Sequence, residues 1–152
     1  MKILEVLKKE AIISDLKSAD KKGVLEELSD PVSSLFNIEK ENLVNILMER
    51  ESLGSTGIGG GIGIPHGKLK NLDSLVLGFG LSHRGVDFES MDGRPTHIFF
   101  LLVTPEQSTG LHLKLLARIS RILKNDPFKA KLMAAGSAEE IIAIISEEDE
   151  EF

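Results

Sequence analysis

A chain of 152 residues, 41% of them apolar, is sized for one domain with its own core, and residues 1–152 are expected to form that single domain. It holds no cysteine, which excludes disulfides, thiol nucleophiles and thiolate metal sites. A net charge of −6 without a single Trp or Tyr argues against nucleic-acid binding, which calls for a basic footprint and often for stacking aromatics.

In chain order, the opening "MKILEVLKKEAII" turns charged at Lys8 and Lys9 and lacks the apolar core and cleavage site of a signal peptide. The longest apolar runs, such as "IFFLLV" from Ile98 to Val103, are too short to cross a bilayer, so a soluble, cytoplasmic protein with no membrane insertion is expected. "ILEVLKKE" suggests a short helix, and "AIISDL" (Ala11 to Leu16) a strand. Asp20 is placed to cap a helix through "KKGVLEELSDPVSSLF", which Pro31 is expected to break or restart. A stronger helix runs from about Ile38 to Leu53, with Leu43, Ile46 and Leu47 on one stripe.

After a glycine-rich loop, "GIGIP" makes a short strand, and "SLVLGFGLS" and "THIFFLLVTP" make two longer ones around the turn "MDGRP". The second is apolar throughout, as a central strand covered on both faces is. A long helix from about Thr109 to Lys124 follows, then "PFKAKLMAAG" and "SAEEIIAIISEE" as shorter helices. Helices flanking a cluster of strands imply an α/β fold, a three-layer α/β/α sandwich around a small mixed sheet. The acidic run at about 147–152 reads as a solvated or frayed end.

The stretch "GSTGIGGGIGIPHGK", Gly54 to Lys68, spends half of the 14 glycines and ends on a histidine, His66, between Pro65 and Gly67. Glycine costs about 0.5–1 kcal/mol relative to alanine where regular structure would otherwise form, so close approach or an unusual turn is expected. Two phosphate-binding motifs fail on spacing. A P-loop needs Ser or Thr after Gly-Lys, and here Leu69 follows Lys68; no three glycines fall on G-x-G-x-x-G. A glycine-rich turn can still form a nest of backbone amides for an anion.

Two further residues end apolar stripes. From His112 the helical steps reach Leu115, Leu116, Ile119 and Leu123, and Arg50 continues the stripe of Leu43, Ile46 and Leu47. Taken singly, His112 reads most simply as a core histidine, Arg50 as a complement to the helix dipole, and His66 equally as a turn residue or an active group. Taken together, two imidazoles and a guanidinium beside a glycine loop suit a phosphoryl group. His83 and His97 read as surface or structural residues, and no H-E-x-x-H or close histidine pair supports a metal site.

"RESLGSTGIGGGIGIPHGK", followed by "DGRPTHIFFLLVTPEQSTGLHLKLLARISRIL", resembles the IIA domains of the bacterial phosphoenolpyruvate phosphotransferase system, of the fructose/mannitol class (type 2) and its nitrogen-regulatory branch. The resemblance spans essentially the whole chain. Gly63 stands where the family commonly has alanine, which removes no chemical group. The resemblance implies a phosphoryl carrier in which His66 accepts phosphate from HPr or its nitrogen-branch counterpart. It implies His112 beside the acceptor and Arg50 in support of the phosphoryl site. The amides and hydroxyls of Ser55, Thr56, Gly57 and Gly59 would complete an electrostatic cradle, while Gly67 leaves room for the partner. No cofactor, metal or nucleotide is expected. The single domain and the opening segment favour a nitrogen-regulatory protein acting on target proteins. The alternative is a sugar-class component passing phosphate to a IIB domain.

Overall fold

The computed structural model describes residues 2–107 and 110–150; of residues 111 and 112 it describes the backbone only. After a 3-10 turn at Ile3–Glu5, the elements are β1 (Leu7–Ile13), α1 (Lys21–Phe36), α2 (Lys40–Ser52), β2 (Gly57–Gly59), β3 (Ile62–Gly63) and β4 (His66–Leu69). They continue with β5 (Val76–Val86), β6 (Thr96–Pro105), α3 (Gly110–Ile122), α4 (Asp126–Ala134) and α5 (Ala138–Glu150).

The six strands form one mixed sheet in the order β1-β5-β6-β3-β2, with β4 also paired to β6. β5 and β6 are antiparallel, while β1 lies parallel to β5, and β3 and β4 lie parallel to β6. The central place expected for "THIFFLLVTP" is the one β6 takes: residues 98–103 are all buried. Adjacent side chains on a strand face opposite ways. Phe99 accordingly meets Phe88 edge-on, and Phe100 meets Phe79 edge-on. Helices α1 and α2 pack on each other and on β5, β1 and β4, and α4 and α5 pack on each other and on β5 and β1. The chain is thus the α/β sandwich its sequence implied.

Three local expectations are corrected. "ILEVLKKE" is not a helix: after the 3-10 turn, Leu7 pairs with Leu77 and the strand already runs through Lys8, Lys9 and Glu10. Their exposed side chains suit an edge strand, where charge discourages pairing with another chain. Pro31 does not break α1, which runs unbroken from Lys21 to Phe36. Val24, Leu25, Leu28 and Val32 are buried on one stripe, and that burial outweighs the single backbone bond a proline forfeits. The acidic end is not frayed as far as Glu150. Asp149 continues the α5 stripe of Ile141 and Ile145 into the interior, where its carboxylate accepts from Ile3 N (3.2 Å), Leu4 N (3.1 Å) and Arg118 Nε (3.0 Å). Residues 151 and 152 lie outside the described residues.

Among the described residues no helix is long and apolar enough to cross a membrane.

Candidate phosphoryl-acceptor site

His66 stands at the head of β4, and the interruption just before it explains its setting. β3 and β4 pair in succession with the same strand, Ile62 opposite Ile98 and His66 opposite Leu102. Between them Pro65, which has no N–H, breaks the ladder, although its carbonyl still accepts from Leu102 N at 3.0 Å. Ile64 is turned out of the ladder. Its N–H donates to Thr56 O at 3.0 Å, and its carbonyl lies 2.9 Å from His66 Nδ1.

That contact decides the tautomer. A carbonyl oxygen can only accept, so Nδ1 carries the proton and Nε2 of the neutral ring carries the lone pair. The ring is half-buried. Against its strand lies α2: a Cβ built on Gly67 would stand 2.8 Å from Ile46 Cγ2, closer than a real Cβ packs. Glycine at 67 is what lets the strand of His66 lie so near the helix that carries Arg50 one turn further on.

Arg50 is half-exposed in the last turn of α2, and its Nη1 donates to Gly54 O at 2.9 Å, tying the helix to the start of the loop. The loop itself is an ordered hairpin. Gly57 pairs with Gly63 and Gly59 with Ile62, and Gly59, Gly60 and Gly61 all adopt positive φ (94°, 66° and 81°) at its tip. Three such residues in a row favour glycine strongly. Asp92 accepts from Gly60 N at 3.0 Å, and Lys129 Nζ reaches Gly60 O at 3.3 Å.

The loop's polar groups are largely spent on tying the loop to its neighbours. Ser55 Oγ donates to Phe88 O at 2.7 Å and accepts from Gly57 N at 3.0 Å. Thr56 gives both its N–H (3.0 Å) and its hydroxyl to the carboxylate of Glu51. Gly57 O accepts from Met91 N at 3.0 Å. In this conformation, then, the hydroxyls of Ser55 and Thr56 shape the hairpin and do not point their protons at an open site.

The structure links Thr56 to His66 through Ile64 and sets Gly67 against Ile46 of α2. Arg50 is tied to the start of the loop at Gly54, Ser55 bonds Gly57, and Gly59 stands at the hairpin's far end. His112 falls in the first turn of α3, and its side chain lies outside the described residues. His83 lies in an exposed pair with Asp15 (3.5 Å), and His97 Nδ1 sits 2.8 Å from Ser82 O beneath the hairpin. Both fit their structural reading. Among the described residues no group of three or more His, Asp or Glu side chains is placed to hold a metal ion.

The sequence reading missed Glu51, which is 5% exposed, and its partner Lys21, whose Nζ stands 3.2 Å away and 5.1 Å from the centre of the Phe88 ring. One signal was available. A glutamate in the last turn of a helix opposes the macrodipole and needs another partner to sit there.

Comparison with known proteins resolves the family. The family described as phosphoenolpyruvate-dependent sugar phosphotransferase system, EIIA 2, matches residues 5–148. The chain belongs to that family. The chain is 39% identical over 146 residues to the nitrogen regulatory protein of Bradyrhizobium diazoefficiens, covering 96% of this chain and 95% of that one. It is 35% identical over 150 residues to the fructose-specific EIIABC component of Bacillus subtilis, covering 98% of this chain and 24% of that longer protein. Among solved structures, the nitrogen regulatory protein IIA-Ntr of Neisseria meningitidis superposes with a TM-score of 0.87 at 32% identity, covering 93% of this chain and 97% of that one. The EIIA type 2 domain is a phosphotransferase-system component.

Proposed function

We propose that this EIIA domain is a cytoplasmic phosphoryl carrier whose acceptor is Nε2 of His66. The observation that carries the reading is the 2.9 Å contact of Nδ1 with Ile64 O, which leaves the other ring nitrogen as the nucleophile. The donor is a carrier protein bearing phosphohistidine, HPr or its nitrogen-branch counterpart. The Nε2 lone pair attacks the phosphorus in line. A new N–P bond forms as the carrier's own N–P bond breaks, and the departing electron pair stays on the carrier's imidazole. His66 keeps its Nδ1 proton throughout, and the Ile64 carbonyl supports the positive charge that develops on the ring.

Transfer between two imidazoles asks little covalent work of the protein; positioning and charge balance supply the rate. Arg50 uses Nη1 on Gly54 O, and the rest of its guanidinium is the cationic partner for the phosphoryl oxygens. His112 supplies a second donor from the first turn of α3. Ser55, Thr56, Gly57 and Gly59 hold the hairpin in shape, and Gly67 keeps the strand close under the helix.

The nitrogen-regulatory role is favoured by the 39% identity, which extends over nearly the full length of both chains. In that role the phosphorylation state of His66 changes contacts with target proteins, since a phosphate adds negative charge at the head of β4. A second reading, transfer onward to a IIB domain for sugar uptake, is favoured by the 35% identity to a component whose name joins A, B and C parts.

Incubation with labelled phosphoenolpyruvate, Enzyme I and carrier is expected to load an acid-labile phosphoryl group, and His66→Ala to abolish it. Loading that survives this change would move the acceptor elsewhere. His112→Ala and Arg50→Ala are expected to slow transfer by about tenfold or more without abolishing it. Transfer from the loaded protein to a purified IIB domain would decide for the sugar reading, and retention of the label for the regulatory one.

A further inference from the structure

We infer that Glu51 is a positioning residue for the phosphoryl acceptor, acting through the hairpin and Ile64 on the imidazole of His66; the inference deepens the phosphocarrier reading and rests on it.

The connection can be followed atom by atom. Glu51 Oε1 accepts from Thr56 N at 3.0 Å and faces Lys21 Nζ at 3.2 Å, and Oε2 accepts from the Thr56 hydroxyl. Thr56 O accepts from Ile64 N at 3.0 Å. Ile64 O holds His66 Nδ1 at 2.9 Å. Each link leaves the next group with one orientation. A carboxylate with both oxygens engaged fixes the Thr56 backbone, Thr56 fixes Ile64 outside the ladder, and the carbonyl of Ile64 selects the tautomer.

The burial pattern favours this role over surface decoration. The Glu51 side chain is 1% exposed and that of Lys21 11%. Burying such a pair is costly unless the geometry and additional hydrogen bonds are good, so a buried ion pair is a weak source of stability. Here every added hydrogen bond converges on a single loop residue. Glu51 also follows Arg50 directly, so the last turn of α2 fixes Gly54 with one side chain and Thr56 with the next. Lys21, at the first turn of α1, brackets the same unit from outside, with Glu89 3.5 Å away and the Phe88 ring beneath it. The linkage is mechanical: the bonds pass through different peptide units, and its effect is on where Ile64 O points.

Two full-chain variants test it. Glu51→Gln keeps the volume and turns one acceptor into a donor facing the Thr56 hydroxyl. Thr56→Val removes that hydroxyl and keeps the shape, and it carries the test if the first variant does not fold. The readout independent of phosphorylation is the nitrogen-15 spectrum of the histidine rings. We expect wild-type His66 as the single Nδ1–H tautomer and a mixture in each variant. His97, which has an equivalent Nδ1 contact to Ser82 O but lies off this path, should be unmoved.

The kinetic readout is transfer from the phosphorylated carrier. kcat is expected to fall by about tenfold to a hundredfold with KM for the carrier unchanged, as misplacement of a reacting group does. His66 ring shifts identical to wild type in a folded variant would overturn the inference. So would equal movement of His66 and His97, which would signal general loosening. A wild-type protein that takes no phosphate would remove the phosphocarrier reading while leaving the spectrum to decide what Glu51 holds.

Discussion

Two ring nitrogens of one imidazole face different tasks, and a single carbonyl separates them. Ile64 is free to meet His66 Nδ1 because Pro65 interrupts the strand and leaves Ile64 outside the ladder. Gly67, on the other side of the histidine, works by what it lacks. A methyl there would press on Ile46 Cγ2 at 2.8 Å, so Gly67→Ala must push β4 away from α2 or shift the isoleucine. We expect a loss of about 1–3 kcal/mol by urea unfolding, the usual cost of overpacking, together with slower phosphoryl transfer. An unchanged midpoint would show that the contact relaxes freely.

At the level of elements, the hairpin β2–β3 owes its shape to anchors far away in sequence. Asp92, in the turn after β5, holds the tip through Gly60 N, and Lys129 of α4 holds it through Gly60 O. The Asp92 carboxyl is held below the ordinary aspartate value of 3.8, chiefly by the Arg94 N–H and next by that of Gly60. A lowered folded value means the anchoring is complete above 3.8 and fades as pH falls through the folded value. The Gly60 amide shift is therefore expected to stay constant from pH 7 to about 5 and to titrate only below 3.8. A midpoint above 3.8 would contradict the assigned contacts. Asp92→Asn should remove the titration while keeping a weaker acceptor. The opposite case is α1, which needs no distant anchor at its start: Asp20 caps it by accepting from Gly23 N at 2.8 Å, as the local pattern implied.

For the whole molecule, the two ends of the described chain meet. Asp149 gathers the amides of Ile3 and Leu4 and the guanidinium of Arg118, joining the first turn, α3 and α5. Arg118 also donates from Nη2 to the Asp149 carbonyl at 2.8 Å. Asp149→Ala is expected to cost about 2–4 kcal/mol of global stability, because it leaves buried donors without their carboxylate. Thermal or urea unfolding measures that loss. Loading of His66 at a temperature where the variant is folded should persist, since the clamp takes no part in the hydrogen-bonded path to His66. Any slowing would come through α3, which carries both Arg118 and His112. A variant as stable as wild type would return the acidic end to a solvated role.

The pattern of apolar residues was enough to place α2, β5, β6 and the last three helices, and the unbroken apolar run of β6 was enough to make it central, since these are properties of neighbouring positions along the chain. His66 was legible as a candidate because a glycine-rich loop presents it between Pro65 and Gly67, and Arg50 because a charged residue continues an apolar helical stripe. Long-range partners were not legible. Whether "LKKE" lies in a strand depended on β5 being beside it, whether Pro31 ends a helix depended on the core beneath α1, and Asp149 looked solvated until Ile3, Leu4 and Arg118 surrounded it. Glu51 is the sharpest case. Sequence shows a carboxylate at an unfavourable helix end, and only folding brings Lys21, thirty positions upstream, and Thr56, beyond the glycine turn, to meet it. Hydrophobic pattern is a local property and can be read from the chain alone; the pairing of buried polar groups is a property of three-dimensional neighbours, and the tertiary structure had to decide it.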